Sequence, residues 1–504
     1  MINNSVTTRR DFIYNSVRLG GLFCAGKALG SAISDDTATM STTPELKSKG
    51  DSEISKINPI LGSVPAGVAL PDHQQWLELD SAIRRWWNDG QIETTEKAIR
   101  NDQRGKLLFL PFPFVQISDG NYGQFAVDTA FMNYALFAHE RLDVVRHHLL
   151  NHLFLIERYG FAPNANYEGL LTRSQTPFFI LPTFWRYYSI TGDLDLMYIA
   201  YPLLKREYQQ YWNAPHHQTP IGLATNRDLG DPVLSPELAS EAEVLDWMPV
   251  FGGDVRRCVP VGTNAGLVSY ARVLSLIATA IGRDGESRTF TREADDRTAL
   301  INRFCWNEEA GLFLEYDYIA KKQLPYISEF AYWTLWTGVA DHKQAIRLVH
   351  NVHLLEQPYG LTSTDRAYAD PHSNSAYEIR NSLPYRRIQD VPPAKEAPLE
   401  YIGGRNPMMW MYPAGWATTQ IIVTAGLDKY GYADIAQQLS VRYLSLLLDQ
   451  YRKTGKLWEK YNVVDGTLVL PNARYGNLPY HSFSAAAVVL LGRRYFNSQS
   501  LQII

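Results

Sequence analysis

The 504-residue chain is poor in cysteine: Cys24, Cys258 and Cys305 are its three, and none stands in a CxxC spacing. That scarcity argues against a zinc ribbon and against a disulfide framework. Whether Cys258 and Cys305 pair is open on the sequence. Charge of one sign is also missing. Lys+Arg 48 against Asp+Glu 52 leave a net charge of −4, so no broad basic field is present to release counterions from nucleic acid, and no nucleic-acid partner is expected. A hydrophobic fraction of 45% with 20% charged residues describes a soluble globular protein rather than a membrane bundle. There is no Gly-rich phosphate loop and no fixed-period repeat. Strand signals are few, the clearest being Gly311-Leu312-Phe313-Leu314-Glu315-Tyr316-Asp317-Tyr318, read as part of a small hairpin.

What the chain does have begins with an address. Arg9-Arg10 precede Phe12-Ile13, and a mildly apolar stretch runs from Leu19 to Ala32. This resembles a twin-arginine export signal. It is too short and too interrupted, by Lys27, to span a membrane, which takes about 20 apolar residues. Residues 1–32 are therefore expected to be a removable bacterial signal, 33–65 a polar disordered linker, and 66–497 the catalytic domain. Periplasmic or secreted location follows, with no stable membrane insertion after signal removal.

From about residue 71 apolar residues recur at helical spacing in segments of roughly 12 to 20, separated by Gly, Pro and Asn. The segments are Thr129 to Arg141, Leu142 to Tyr159, Thr176 to Thr191, Asp193 to Trp212, Thr263 to Ile281, Asp295 to Trp306, Asp341 to Val352, Ala414 to Leu427, Ala433 to Tyr451 and Ser482 to Tyr495. Weaker ones lie near 75 to 100 and 326 to 339. Twelve helices suit an all-α (α/α)6 toroid of six helical hairpins. The 12% of aromatic residues, with 30 Tyr and 12 Trp, suits either stacking on sugar rings or filling a helical core.

Gly160-Phe161-Ala162-Pro163-Asn164-Ala165-Asn166 followed by Thr172-Arg173-Ser174-Gln175, then Trp410-Met411-Tyr412-Pro413-Ala414-Gly415-Trp416-Ala417, then Trp458-Glu459-Lys460-Tyr461-Asn462, resemble in order the motifs of the trehalase family, glycoside hydrolase family thirty-seven. The resemblance implies an (α/α)6 barrel that hydrolyses an α-glucosidic bond with inversion and without a metal or other cofactor. Its substrate would be a small carbohydrate, trehalose first and another α-glucoside second. A lyase and a silent sugar-binding protein are the readings from other classes.

Inversion needs one protonated carboxyl at the leaving oxygen and one carboxylate that activates water. On the resemblance, Asp246 falls on the acid, with Asp254 or Glu237 as substitutes, and Glu459 on the base. Burial among Trp247, Met248 and Phe251 is expected to raise the Asp246 pKa, while Glu459 stays ionised. Neither carboxylate is expected in a structural ion pair. Asp128, Asn164, Arg173, Gln175 and Arg227 fall on sugar-pocket positions, the two arginines as hydrogen-bonding forks. Trp410 and Trp416 are the expected stacking surfaces. His147, His148, His152 and the pair His216-His217 lack an HExxH pattern and read as polar helix faces, not metal ligands. Four departures from the family pattern stand out: no arginine near Ser118-Asp119-Gly120-Asn121-Tyr122, Met411 in place of an aspartate, Arg474-Tyr475 in place of glutamate and tyrosine, and no Gly-rich run ahead of that pair.

Overall fold

The computed structural model describes residues 69–102, 106–118, 121–232, 234–368, 408–470, 477–479 and 482–501. The twin-arginine segment, the linker, the Pro-rich run at 391–395 and Arg474-Tyr475 lie outside the described residues.

Twelve helices carry the architecture among the described residues. In chain order they are α1 (His73–Asp89), α2 (Ala126–Ala138), α3 (Leu142–Tyr159), α4 (Leu181–Thr191), α5 (Leu194–Glu207), α6 (Val261–Ala280), α7 (Asp284–Cys305), α8 (Phe330–Thr337), α9 (His342–His350), α10 (Ala417–Lys429), α11 (Ala433–Thr454) and α12 (Ser482–Asn497). Two patterns of burial separate them. The even-numbered helices α2, α6, α8, α10 and α12 are buried nearly all round, whereas α1, α7 and α9 bury one stripe. A helix apolar on every side must be surrounded by protein, and one with a single stripe covers it from outside. The packing agrees. Even helices touch in a closed ring, α2 to α4 to α6 to α8 to α10 to α12 and back to α2, and each packs on an odd neighbour in sequence. This is the (α/α)6 toroid. The ring is sealed by α1 lying on α12, where the Trp76 indole N–H donates to the Val488 carbonyl at 3.0 Å. Gly492 allows that approach, since a Cβ there would meet Trp76 at 1.9 Å.

Because outer and inner helices alternate along the chain, all inner helices run the same way and start at the same end. Asp128 lies in the first turn of α2, Gln175 just ahead of the 3-10 turn Pro177–Phe179 that leads into α4, Pro260 caps α6, Glu329 caps α8, Trp416 caps α10, and Ser482 opens α12. Six helix N-termini gathered at one mouth favour negative charge there. Aromatic rings from this end pack across the axis: Phe131 on Phe179 at 5.3 Å, Phe179 on Trp333 at 4.8 Å, Phe131 on Phe483 at 6.0 Å and Phe483 on Trp416 at 6.3 Å. They form a floor rather than a channel.

Small strands decorate this end. The expected hairpin is real but split: Leu312–Phe313 pairs with Trp306–Asn307, while Tyr316–Asp317 joins Lys322–Gln323 and Cys258–Val259 in a three-stranded sheet. Between the two, the buried Glu315 carboxyl accepts the Val261 N–H at 2.8 Å, satisfying one orphan donor of α6. Burial pushes the Glu315 carboxyl up to about 8 from 4.5. A raised pKa means that the native state keeps a proton the unfolded chain gives up, so this stabilisation is complete below about 4.5 and is lost as pH rises through about 8. Thermal melts from pH 5 to 9 should show wild type losing its advantage over Glu315→Gln as pH rises; a gap that does not change with pH would contradict this account. Cys258 and Cys305 are both buried free thiols, so the bridge left open by the sequence is not formed. No helix among the described residues is long and apolar enough to cross a membrane.

Candidate active site

Asp246 lies in the loop between the short helix Pro236–Glu241 and the 3-10 turn Pro249–Phe251, at the mouth of the ring. The Gln175 amide donates to its Oδ1 at 3.2 Å. Val244, Leu245, Trp247 and Met248 around it are fully buried, but Asp246 itself is half-buried, less enclosed than sequence reasoning expected. The next residue, Trp247, holds φ at +56°, a left-handed conformation that is unfavourable for a bulky side chain. It is held by its indole N–H donating to Leu238 at 3.2 Å and by its carbonyl accepting the Met409 N–H at 3.0 Å.

That last bond ties the Asp246 loop to the segment carrying Trp410. Trp410 and Trp416 lie face to face, 3.9 Å between centroids and 9° from parallel, and the Trp416 indole donates to the Met409 carbonyl at 3.1 Å. Strand Ala414–Trp416 pairs with strand Lys460–Asn462, placing Trp416 opposite Lys460. The Lys460 ammonium lies 5.2 Å from the Trp416 ring and pairs with the Glu459 carboxylate. Asp246 and Glu459, distant in sequence, thus stand at the two ends of one short run of contacts. Glu459 is 3% exposed, and its backbone N–H donates to Leu478 at 2.8 Å.

The expected sugar-binding residues separate into two groups. Asp128, Asn164, Arg173 and Gln175 come together. The Ala126 N–H donates to the Asn164 carbonyl at 3.0 Å, the Asn164 N–H to the Arg173 carbonyl at 3.3 Å, and Ser482 Oγ to Asp128 Oδ1 at 2.7 Å. The Asn164 side-chain oxygen is buried and finds no hydrogen-bond partner among the described residues. Arg173 is not an open fork: its Nη1 is bonded to Asp228 at 3.0 Å and Asp231 at 2.7 Å, all three side chains buried. Arg227 is exposed and lines a cavity of about 370 Å³ with Asp228, Asp254, Arg256 and Tyr318. The tryptophans are corrected as well, since each covers a face of the other.

Both substitute acids are engaged elsewhere, Asp254 with Arg256 at 2.8 Å and Glu237 with the same guanidinium. The structure departs from expectation at Glu459, whose buried carboxylate forms an ion pair with the ammonium of the adjacent, fully buried Lys460. His148 is a core residue: Nδ1 meets Asn133 at 2.8 Å, Nε2 accepts the Val115 N–H at 3.1 Å, and burial pushes its pKa down to about 3. Among the described residues no three His, Cys, Asp or Glu side chains are grouped to hold a metal ion. Sequence reasoning missed Lys460, although it lies inside the motif that marked Glu459. It also missed Glu329, a carboxyl buried at the cap of α8 and pushed up to about 7 by that burial. Its only signal is an acidic residue just ahead of a short uncharged, aromatic-rich helix.

The family described as Trehalase matches residues 82–241, 251–377 and 394–480. A protein named "Probable trehalase" from Eremothecium gossypii is 25% identical over 491 residues, covering 84% of this chain and 61% of its own length. The cytosolic neutral trehalase of Kluyveromyces lactis is 26% identical over 483 residues, covering 80% and 60%. The chain thus spans about three fifths of the length of these curated relatives. Among solved structures, neutral trehalase Nth1 from Saccharomyces cerevisiae aligns with a TM-score of 0.58 at 21% identity, over 77% of this chain and 74% of that one, which supports the toroid. The expected periplasmic or secreted location is overturned by the names of the matched relatives, several of which are cytosolic neutral trehalases.

Proposed function

The chain belongs to the trehalase family, and from that membership we propose that it is an inverting α,α-trehalase acting in the cytoplasm, with Asp246 as general acid and Glu459 as general base. The observation that supports this reading is the single contact run from Asp246 through Trp247, Met409 and Trp416 to Lys460 and Glu459, which links two carboxyls from separate parts of the chain.

Chemically, the Gln175 amide engages one Asp246 oxygen, so the proton is carried by the other and directed to the glycosidic oxygen. As the C–O bond breaks, Glu459 takes a proton from a water that adds to the anomeric carbon from the opposite face. Lys460 fixes that carboxylate through Oε2. Asp128, steadied by Ser482, and the unpartnered oxygen of Asn164 supply acceptors for sugar hydroxyls.

Inverting cleavage of an α,α-linked disaccharide yields one β-glucose from the attacked half and one α-glucose from the leaving half. Purified protein should therefore release equal amounts of both anomers from trehalose before mutarotation, followed by proton NMR, with and without chelator. Release of α-glucose alone would mean retention and would overturn the paired acid and base. Loss of activity with chelator would overturn the metal-free chemistry. Kojibiose, maltose and isomaltose in parallel define the linkage accepted.

A further inference from the structure

Three residues before Asp246, Glu243 is fully buried and does not reach the mouth. Donors from three other segments converge on its carboxylate. Oε2 is met by His217 Nε2 at 2.9 Å, by the Asn226 amide at 3.2 Å and by the Arg227 backbone N–H at 2.9 Å; the Tyr211 hydroxyl donates to Oε1. The His217 ring is fixed at its other nitrogen, Nδ1, by the Tyr211 carbonyl at 2.9 Å. Burial, the largest influence, pushes the Glu243 pKa upward, but the nearby His217 and the converging hydrogen bonds outweigh it and hold the group below the ordinary carboxylate range. Such an assembly is costly to break, because removing a partner leaves a buried charge uncompensated.

The Tyr211 hydroxyl has a second bond. It accepts the Ser174 backbone N–H at 2.9 Å, and Ser174 lies between Arg173 and Gln175, the residue that donates to Asp246. Glu243 therefore reaches the acid along two routes, through Val244 and Leu245 of its own chain and through Tyr211, Ser174 and Gln175. The same carboxylate fixes the backbone at Arg227, beside Asp228, which holds Arg173 from the other side.

We propose that Glu243 is a positioning residue: with Tyr211 and His217 it clamps the Gln175 arm to the Asp246 loop, so that the acid proton is aimed at the leaving oxygen. This rests on the assignment of Asp246 as the acid. It accounts for the buried His217, whose role is to orient a carboxylate rather than to ligate a metal.

The test uses two substrates that share the glucosyl half. Trehalose must have its leaving oxygen protonated, whereas α-glucosyl fluoride loses fluoride without an acid, so the ratio of their kcat values reports the acid alone. Tyr211→Phe keeps the ring that stacks on Phe161 at 4.3 Å and removes only the bridging hydroxyl. Glu243→Gln removes the charge. Misplacing a catalytic group by about 1 Å costs up to about 10²-fold, so in each variant the trehalose to fluoride ratio should fall by about tenfold or more. A merely structural role lowers both rates together and leaves the ratio unchanged, which would overturn the proposal. Asp246→Asn is run alongside. If it does not shift the ratio, the acid assignment itself has failed; if it does while Tyr211→Phe and Glu243→Gln do not, only the positioning role has. Should Glu243→Gln fail to fold, Tyr211→Phe decides the outcome.

Discussion

Asp246→Asn and Glu459→Gln should each lower kcat on trehalose by about 10² to 10⁴, the range supplied by a correctly placed acid or base, while the melting temperature of Asp246→Asn stays near wild type. Both substitutions keep shape and remove one ionisable group. Their effects should divide on a substrate that needs no protonation: Asp246→Asn recovers much of its rate with α-glucosyl fluoride, because fluoride leaves unaided. Glu459→Gln does not, because water must still be activated. Steady-state glucose release with both substrates measures this. Near-normal trehalose turnover in either variant would remove that residue from the chemistry, and recovery of Glu459→Gln on the fluoride would exchange the two roles. The ion pair between Glu459 and Lys460 adds a stability contrast. Glu459→Gln leaves a buried ammonium with less compensation, so any loss of stability should be larger there than for the half-buried Asp246.

The largest loss of stability should come from Arg173. Its guanidinium is 1% exposed and holds the buried carboxylates of Asp228 and Asp231 through one nitrogen. Arg173→Met leaves both aspartates buried without their cation. Breaking a buried pair from one side costs about 3 to 5 kcal/mol, well above the usual effect of a point substitution. Arg173→Lys should recover only part of this, because an ammonium lacks the planar fork that places one nitrogen between two acceptors. Urea denaturation followed by circular dichroism measures the difference. A loss below about 1 kcal/mol would mean that water reaches the two aspartates, since exposed pairs are worth about that little.

The toroid was legible because most helices carry their own evidence. Leu142 to Tyr159 and Ala433 onward show an apolar stripe, and Gly160 ends the first of these in a left-handed turn. The first half of α7 was not legible. Asp284 to Asp296 is mostly polar and contains Gly285, so no apolar period marks it, and it is helical because α6 packs along it. The motifs singled out Asp246 and Glu459, but they could not show what else the side chains touch. Arg173 meets carboxylates 55 and 58 residues away, and Trp410 meets Trp416 instead of leaving two faces open. Glu243 had no signal beyond its place near Asp246, because its importance lies in partners from three other segments.

The seam between α1 and α12 joins groups 412 residues apart. A ribosome must therefore deliver nearly the whole described chain before the circle can shut, and until then the growing arc carries the apolar flanks of its inner helices uncovered. Loop-closure entropy is met before the contacts that reward it, which makes such a chain slow to reach its final state.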